Sequence, residues 1–177
     1  IYIFNDILDI DEDKKHPMKQ KRPIASGKLD KKTALSIMLV LLAVGLLISF
    51  VLSLYLKSFT VLFLFIFYII LNILYSLRLK HIPIVDINVI AIGFEIRLLI
   101  GSATSGIPLT IWIIAIVFLL ALFIALAKRR DDVLMYINTS QIVRKNIDGY
   151  NLEFINASMV ITAGVVLVSY IMYTISP

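Results

Sequence analysis

Five long apolar stretches constrain this 177-residue chain more than any other feature of its sequence. Each is close to the roughly 20 residues that an α-helix needs to cross a bilayer core about 30 Å thick. Because backbone N–H and C=O groups in lipid need partners within their own segment, runs of this length predict membrane-spanning helices. The predicted spans are residues 34–56, 58–77, 84–106, 110–127 and 154–175.

The composition agrees with a membrane protein rather than a water-soluble one. Hydrophobic residues make up 60% of the chain and charged residues only 16%, and the absence of cysteine excludes disulfides and thiolate metal sites. The first residues, IYIFNDILD, are typical of the end of a further helix, and an apolar run also ends the sequence. We therefore expect one all-α membrane domain, a polytopic transmembrane helix bundle over residues 1–177, truncated at both ends.

The positive charges are grouped. Every one of the seventeen Lys and Arg residues except Lys57 and Arg97 falls in one of three polar segments, residues 10–33, 78–83 and 128–153. These segments share one side of the membrane if each predicted span crosses once, and the positive-inside rule makes that side cytoplasmic. The pattern predicts a multi-pass protein of the cytoplasmic membrane. Its partner is then the lipid bilayer, and the positive charge does not indicate nucleic-acid binding.

An acidic motif at the start of the chain is the most specific sequence signal. Asp6, Asp9 and Asp13 fall within about a 60° arc of a helix at 100° per residue, so three carboxylates face one way. Their mutual repulsion is relieved by a hard divalent cation, and oxygen ligands of this kind suit Mg²⁺ shared with substrate phosphates. Lys19 and Arg22 follow and would bind the remaining phosphate charge. The alternative is a solvated polar loop.

Deep charges mark the third predicted span. Asp86, Gly93 and Arg97 fall within about a 40° arc of one helix face, and ionisable groups inside a membrane are costly and usually functional. Arg97 therefore needs a polar cavity or a partner, and the alternative to a functional site is an ion pair, either with Glu95 or with a helix missing from this sequence. Gly93 and Gly101 are also typical of close helix packing.

Two further polar stripes approach the predicted cytoplasmic side. One descends the second span toward Lys80, which we predict faces the same phosphate-binding vestibule as Asp6 and Asp9; simple hydrogen bonding between helices is the alternative. The other can project from a short helix beyond the membrane edge as one polar group. The alternative to a functional role is a solvated helix that attracts anionic lipid. Their residues are Tyr68, Asn72, Tyr75 and Ser76 in the first, and Lys128, Asp132 and Tyr136 in the second.

These motifs resemble the UbiA superfamily of intramembrane prenyltransferases. Residues 5–13 match its motif N-D-x-x-D-x-x-x-D, and residues 75–80 are similar to its element Y-S-x-x-L-K. The sequence also resembles one branch of this superfamily, the decaprenyl-phosphate phosphoribosyltransferases. The resemblance lies in Asp86 with the pattern G-F-x-x-R-x-x-x-G over residues 93–101, and in K-R-x-x-D over residues 128–132. The sequence departs from this branch in having Asp132 where Glu is expected, and from the superfamily in lacking a second D-x-x-x-D motif.

The resemblance implies an enzyme that transfers the 5-phosphoribosyl group of phosphoribosyl diphosphate to a polyprenyl (decaprenyl) phosphate and releases diphosphate. Asp6, Asp9 and Asp13 would hold Mg²⁺, with Asn5 assisting. Two alternatives stay open: a prenyltransferase of the same fold acting on an aromatic or glycerol-phosphate acceptor, and an ion-coupled transporter. The resemblance implies catalytic or substrate-binding roles for Lys19, Arg22, Tyr75, Lys80, Asp86, Arg97, Lys128, Arg129 and Asp132 as well.

Overall fold

The computed structural model describes residues 1–15, 19–139 and 149–175, and within these ranges the chain is helical with no strand. Five of the helices are long and apolar enough to cross a membrane. The predicted all-α, multi-pass architecture is therefore confirmed. The helices are α1 (Tyr2–Leu8), α2 (Ile10–Lys15), α3 (Lys31–Tyr55), α4 (Thr60–Leu77), α5 (Val85–Ser105), α6 (Ile111–Thr139) and α7 (Leu152–Ile175), with 3₁₀ turns at Lys19–Lys21 and Leu79–His81.

The chain divides into two compact units, the first of which is Ile1–Ser76. In this unit α1 packs on α3, and α2 packs on the first 3₁₀ turn. Asp30 caps α3 by accepting a hydrogen bond of 3.0 Å from the N–H of Thr33. Near the other end of α3, the buried Ser53 hydroxyl accepts a hydrogen bond of 3.3 Å from the N–H of Leu62 in α4. Polar contacts thus fix both ends of an otherwise apolar helix.

The second unit, Leu77–Pro177, contains α5, α6 and α7. Helix α6 packs against both of the other helices around an apolar core, whose most deeply buried side chains are Leu126 and Ile155. Large apolar residues on the outer faces, such as Val160 and Leu167 of α7, are exposed. An apolar exterior of this kind is what a lipid-facing surface requires.

The observed bounds confirm the predicted spans 34–56, 58–77, 84–106 and 154–175 to within three residues. They correct the end of the span predicted at 110–127. The prediction ended that span at residue 127 and assigned residues 128–153 to a loop with a separate short helix. Instead α6 runs unbroken to Thr139. No Gly or Pro interrupts this stretch, and Arg129 and Asp132 form an ion pair across one turn, so nothing ends the helix at the membrane edge.

The predicted loop 10–33 also contains helix, since α2 occupies Ile10–Lys15. Three polar residues of the segments 10–33 and 128–153, namely His16, Arg144 and Lys145, lie outside the described residues.

A tight contact joins the turn before α5 to the segment before α7. A Cβ atom added to Gly149 would lie 2.2 Å from Cγ of Pro83. The next residue of that turn, Ile84, has a φ of 68°, which is uncommon for a β-branched residue. The two segments therefore fit together only because residue 149 has no side chain.

We expect Gly149→Ala to lower the free energy of unfolding by about 1–3 kcal/mol, because the added methyl group must displace the Pro83 ring. Gly164→Ala is the matched control, since a Cβ at this helical position meets nothing within 4 Å. Denaturant unfolding in detergent, followed by circular dichroism, measures both variants. Equal stability of the two variants would contradict the proposed contact.

Candidate functional site

The acidic motif of the first unit lies across a short break between two helices. Helix α1 ends at Leu8, Asp9 caps it with φ −98° and ψ 11°, and α2 begins at Ile10. The helical hydrogen-bond pattern nevertheless continues, from the N–H of Asp9 to the carbonyl of Asn5 at 3.0 Å and from the N–H of Asp13 to the carbonyl of Asp9 at 2.7 Å. The break therefore preserves the helical pitch on which the predicted shared face of the acids depends.

A single arginine joins two of the three acids. The Arg22 Nη1 donates hydrogen bonds to Oδ1 of Asp6 at 2.6 Å and to Oδ2 of Asp13 at 3.0 Å. The third acid, Asp9, accepts a hydrogen bond of 3.0 Å from the side-chain amide of Asn5. The sequence assigned Arg22 to a phosphate group, whereas here its guanidinium neutralises carboxylates.

Positive charge is still favoured at this cluster. Partial burial raises the pKa of the Asp6 carboxyl above its ordinary value, although the nearby Arg22 lowers it. The negative charges of Asp13 and Asp9 add to the rise. A raised pKa means that the ionised form of Asp6 is disfavoured, so a further cation placed beside this carboxyl would be stabilised.

Two of the three acids form a donor pair that suits Mg²⁺. Among residues 1–15, 19–139 and 149–175, no three His, Cys, Asp or Glu side chains are gathered closely enough to hold a metal ion, so the three-carboxylate site stays a prediction. Oxygens of Asp6 and Asp13 nevertheless converge on one cationic nitrogen of Arg22. Because proteins usually bind Mg²⁺ through one or two carboxylates plus substrate phosphates and water, this donor pair fits it.

The second unit holds a buried charge network around Asp86, which lies in the first turn of α5 and is fully buried. Arg129 of α6 donates from Nε to Oδ2 of Asp86 at 2.7 Å and from Nη1 to Oδ2 of Asp132 at 2.9 Å. The side chain of Arg129 is 3% exposed and that of Asp132 is 17% exposed. Burial is tolerated here because each charge has an opposite partner.

Tyr150 completes this network, and the sequence analysis missed it. Its hydroxyl donates a hydrogen bond to Oδ1 of Asp86 and accepts one of 2.8 Å from the N–H of Ile84. Burial and the bond to Asp86 raise the pKa of Tyr150 above its ordinary value, so the phenol keeps its proton. The partners are 64 residues apart and no motif spacing connects them, so only the fold reveals the contact.

The Arg97 guanidinium lies 4.2 Å from the centroid of the Phe94 ring, which gives the predicted deep charge an aromatic neighbour on its own helix. Arg97 is exposed in this unit, whereas Gly93 of the predicted shared face is buried. Glu95 keeps a buried Oε1 without a hydrogen-bond partner among the described residues.

The remaining predicted side chains differ in exposure. In the first unit, Lys19 and Tyr75 are half-buried, while in the second, Lys80 is buried and Lys128 is exposed on α6. Of these four, Lys128 is therefore the one most accessible to a soluble anion.

An apolar cavity of about 260 Å³ lies within the first unit. It is bordered by α1, α3 and α4, and its lining includes Tyr68 and Asn72. The Asn72 amide donates to the backbone carbonyl of Tyr68 at 2.8 Å, so part of the predicted polar stripe is bonded within its own helix. The apolar lining includes Ile3, Phe4, Leu41 and Phe65.

The family model of the UbiA prenyltransferases matches residues 1–177, which is the whole chain. The chain belongs to the UbiA prenyltransferase family. This agrees with the all-helical architecture and with the acidic motif at the start of the chain, and it confirms the resemblance on which the predicted site was based.

Curated relatives include three proteins named decaprenyl-phosphate phosphoribosyltransferase. The one from Corynebacterium glutamicum is 30% identical over 98% of this chain and 51% of its own length. That from Mycolicibacterium smegmatis is 30% identical over 99% and 54%. That from Mycobacterium tuberculosis is 27% identical over 96% and 55%. The chain thus spans about half the length of these UbiA relatives.

We expect Arg129→Met to lower the free energy of unfolding by about 3–5 kcal/mol, because it leaves the buried carboxylate of Asp86 without its charged partner. Arg130→Met is the matched control one residue along, where the lost bond is an exposed one to Asn156. Urea unfolding in detergent measures the difference between the variants. A loss no larger than that of the control would contradict a stabilising role for the buried pair.

Proposed function

We propose that this UbiA-family protein transfers the 5-phosphoribosyl group of phosphoribosyl diphosphate to a polyprenyl phosphate, releasing diphosphate. One observation carries the proposal. Asp6 and Asp13 converge on the guanidinium of Arg22, in a chain about 30% identical to proteins named for this reaction. A diphosphate accompanied by Mg²⁺ has the chemistry that such a carboxylate pair accepts.

In the first unit, Asp6, Asp9 and Asp13 would hold Mg²⁺, with Asn5 orienting Asp9. The bound metal would neutralise charge on the leaving diphosphate. We propose that Arg22 holds the acids together in the absence of substrate and turns to the diphosphate oxygens when Mg²⁺ takes its place. Its side chain is 38% exposed, which leaves it room to turn.

In the second unit, the contrast between neighbouring basic residues divides their roles. Lys128 is exposed and is proposed to bind a phosphate group of the donor. Arg129 is buried between Asp86 and Asp132, so we propose that it positions these acids rather than contacting substrate. The partly exposed Asp132 carboxylate can accept hydrogen bonds from ribose hydroxyls.

The proposed reaction breaks the bond between the anomeric carbon and the diphosphate oxygen, and the electron pair leaves with diphosphate. Positive charge then develops on the ribose, as in other glycosyl transfers. An oxygen of the lipid phosphate attacks the opposite face and forms the new bond. Because an ionised phosphate is already a nucleophile, no general base is required. Basic groups such as Lys19 and Lys80 would bind phosphate oxygens.

The membrane setting suits a lipid acceptor. The apolar cavity bordered by α1, α3 and α4 offers a surface on which part of a polyprenyl chain can lie. The grouping of positive charge in three segments supports a site on the cytoplasmic face of the cytoplasmic membrane. Tyr75 in the first unit and Arg97 in the second are proposed to bind substrate, as the family resemblance implies.

The deciding experiment incubates the full-length protein with Mg²⁺, polyprenyl phosphate and phosphoribosyl diphosphate radiolabelled in the ribose. We expect label to enter the organic phase only when all three are present. Consumption of a prenyl diphosphate instead, with no label in the lipid, would favour a prenyltransferase of the same fold and overturn the proposal.

We expect Asp9→Ala to reduce Mg²⁺-dependent turnover by about 100-fold or more, because a charge-stabilising group of the diphosphate site is lost. The protein should remain folded, as judged by circular dichroism. Asp11→Ala is the matched control, since Asp11 is an exposed acid of the adjacent helix α2. Full activity of Asp9→Ala would remove the metal assignment.

We expect Lys128→Ala to raise the KM for phosphoribosyl diphosphate about tenfold, equivalent to about 1.4 kcal/mol of lost binding. Lys57→Ala serves as the control, because Lys57 is an exposed lysine between α3 and α4 and lies in none of the three basic segments. Steady-state kinetics on both variants provide the comparison. Equal KM values would place Lys128 outside the site.

A further inference from the structure

We propose that Tyr150 is a positioning residue of the phosphoribosyl site, whose hydroxyl fixes the Asp86 carboxylate and thereby the orientation of Arg129 and Asp132. The inference rests on the proposed function. It assigns a role to a tyrosine that lies outside every motif of the sequence, on the segment between the undescribed residues 140–148 and α7.

The geometry gives Asp86 one fixed orientation. Its two carboxylate oxygens are bonded to different elements: Oδ1 to Tyr150 before α7, and Oδ2 to Arg129 on α6. A carboxylate held at both oxygens cannot rotate without breaking a buried hydrogen bond. The orientation of Asp86 therefore determines where the Arg129 guanidinium lies.

Arg129 transmits this orientation to the exposed end of the network. Its Nη1 bonds Asp132, which is the member with the greatest side-chain exposure among the three charged residues at 17%. The chain of contacts thus runs from the buried Tyr150 to Asp132, the more exposed of the two carboxylates in this network. Loss of the hydrogen bond between Tyr150 and Asp86 should therefore change the position of Asp132.

Tyr150 is itself held in place by the neighbouring turn. Its hydroxyl accepts the N–H of Ile84, the residue with positive φ just before α5, while Gly149 lies directly against Pro83. The phenol oxygen therefore both accepts from the backbone and donates to Asp86. Phenylalanine keeps the buried ring but can do neither.

The first test compares Tyr150→Phe with the matched control Tyr170→Phe, whose ring is exposed on α7. We expect the KM for phosphoribosyl diphosphate to rise at least fivefold in Tyr150→Phe, with the KM for polyprenyl phosphate unchanged and the control equal to wild type. A purely structural tyrosine would lower the melting temperature alone. Wild-type kinetics in the folded variant would overturn the inference.

The second test does not depend on activity. Phenylglyoxal modifies accessible guanidinium groups, and mass spectrometry can follow Arg129 separately from its neighbour Arg130. We expect Arg129 to be protected in the wild type and to react several-fold faster in Tyr150→Phe, with Arg130 unchanged. An unchanged rate at Arg129 would overturn the positioning role.

The two tests separate the possible failures. If the wild-type protein transfers no phosphoribosyl group, the proposed function fails together with the substrate assigned to this site. The phenylglyoxal comparison still decides, in that case, whether Tyr150 holds the network in place.

Discussion

The buried ion pair between Asp86 and Arg129 is the interaction on which the second unit depends. A carboxylate with no exposure at the start of a membrane helix is tolerable only when its charge is matched, and Arg129 of α6 matches it at 2.7 Å. The pair joins α5 to α6, and Tyr150 adds the segment that leads into α7. One buried charge thus orders the polar ends of three helices.

The first unit meets a related constraint with a different solution. The carboxylates of Asp6, Asp9 and Asp13 repel one another, and Arg22 lies between two of them, Asp6 and Asp13. Arg22 is partly exposed, and the raised pKa of Asp6 means that further positive charge beside that carboxyl would be stabilising, so the arrangement is suited to exchange one cation for another. The buried pair of the second unit lacks that freedom. This contrast is why we propose cation and diphosphate binding for Asp6, Asp9 and Asp13, and a positioning role for Arg129.

The sequence predicted what local periodicity controls. Apolar run length located the five spanning helices, and helical spacing grouped the acids that Arg22 now joins. It failed in two places: it ended the fourth span at residue 127, although no breaker stops α6 there, and it missed Tyr150, which contacts a residue far away in sequence. Spacing along a helix carries no information about a partner on another helix.

In the proposed reaction, a lipid phosphate becomes a phosphodiester of ribose. Phosphorus NMR of the full-length protein with Mg²⁺, polyprenyl phosphate and phosphoribosyl diphosphate observes that bond directly. We expect the lipid monoester signal to be replaced by a phosphodiester signal, while the ribose 5-phosphate signal persists and free diphosphate appears. A lipid monoester that stays unchanged while the donor is consumed would contradict it.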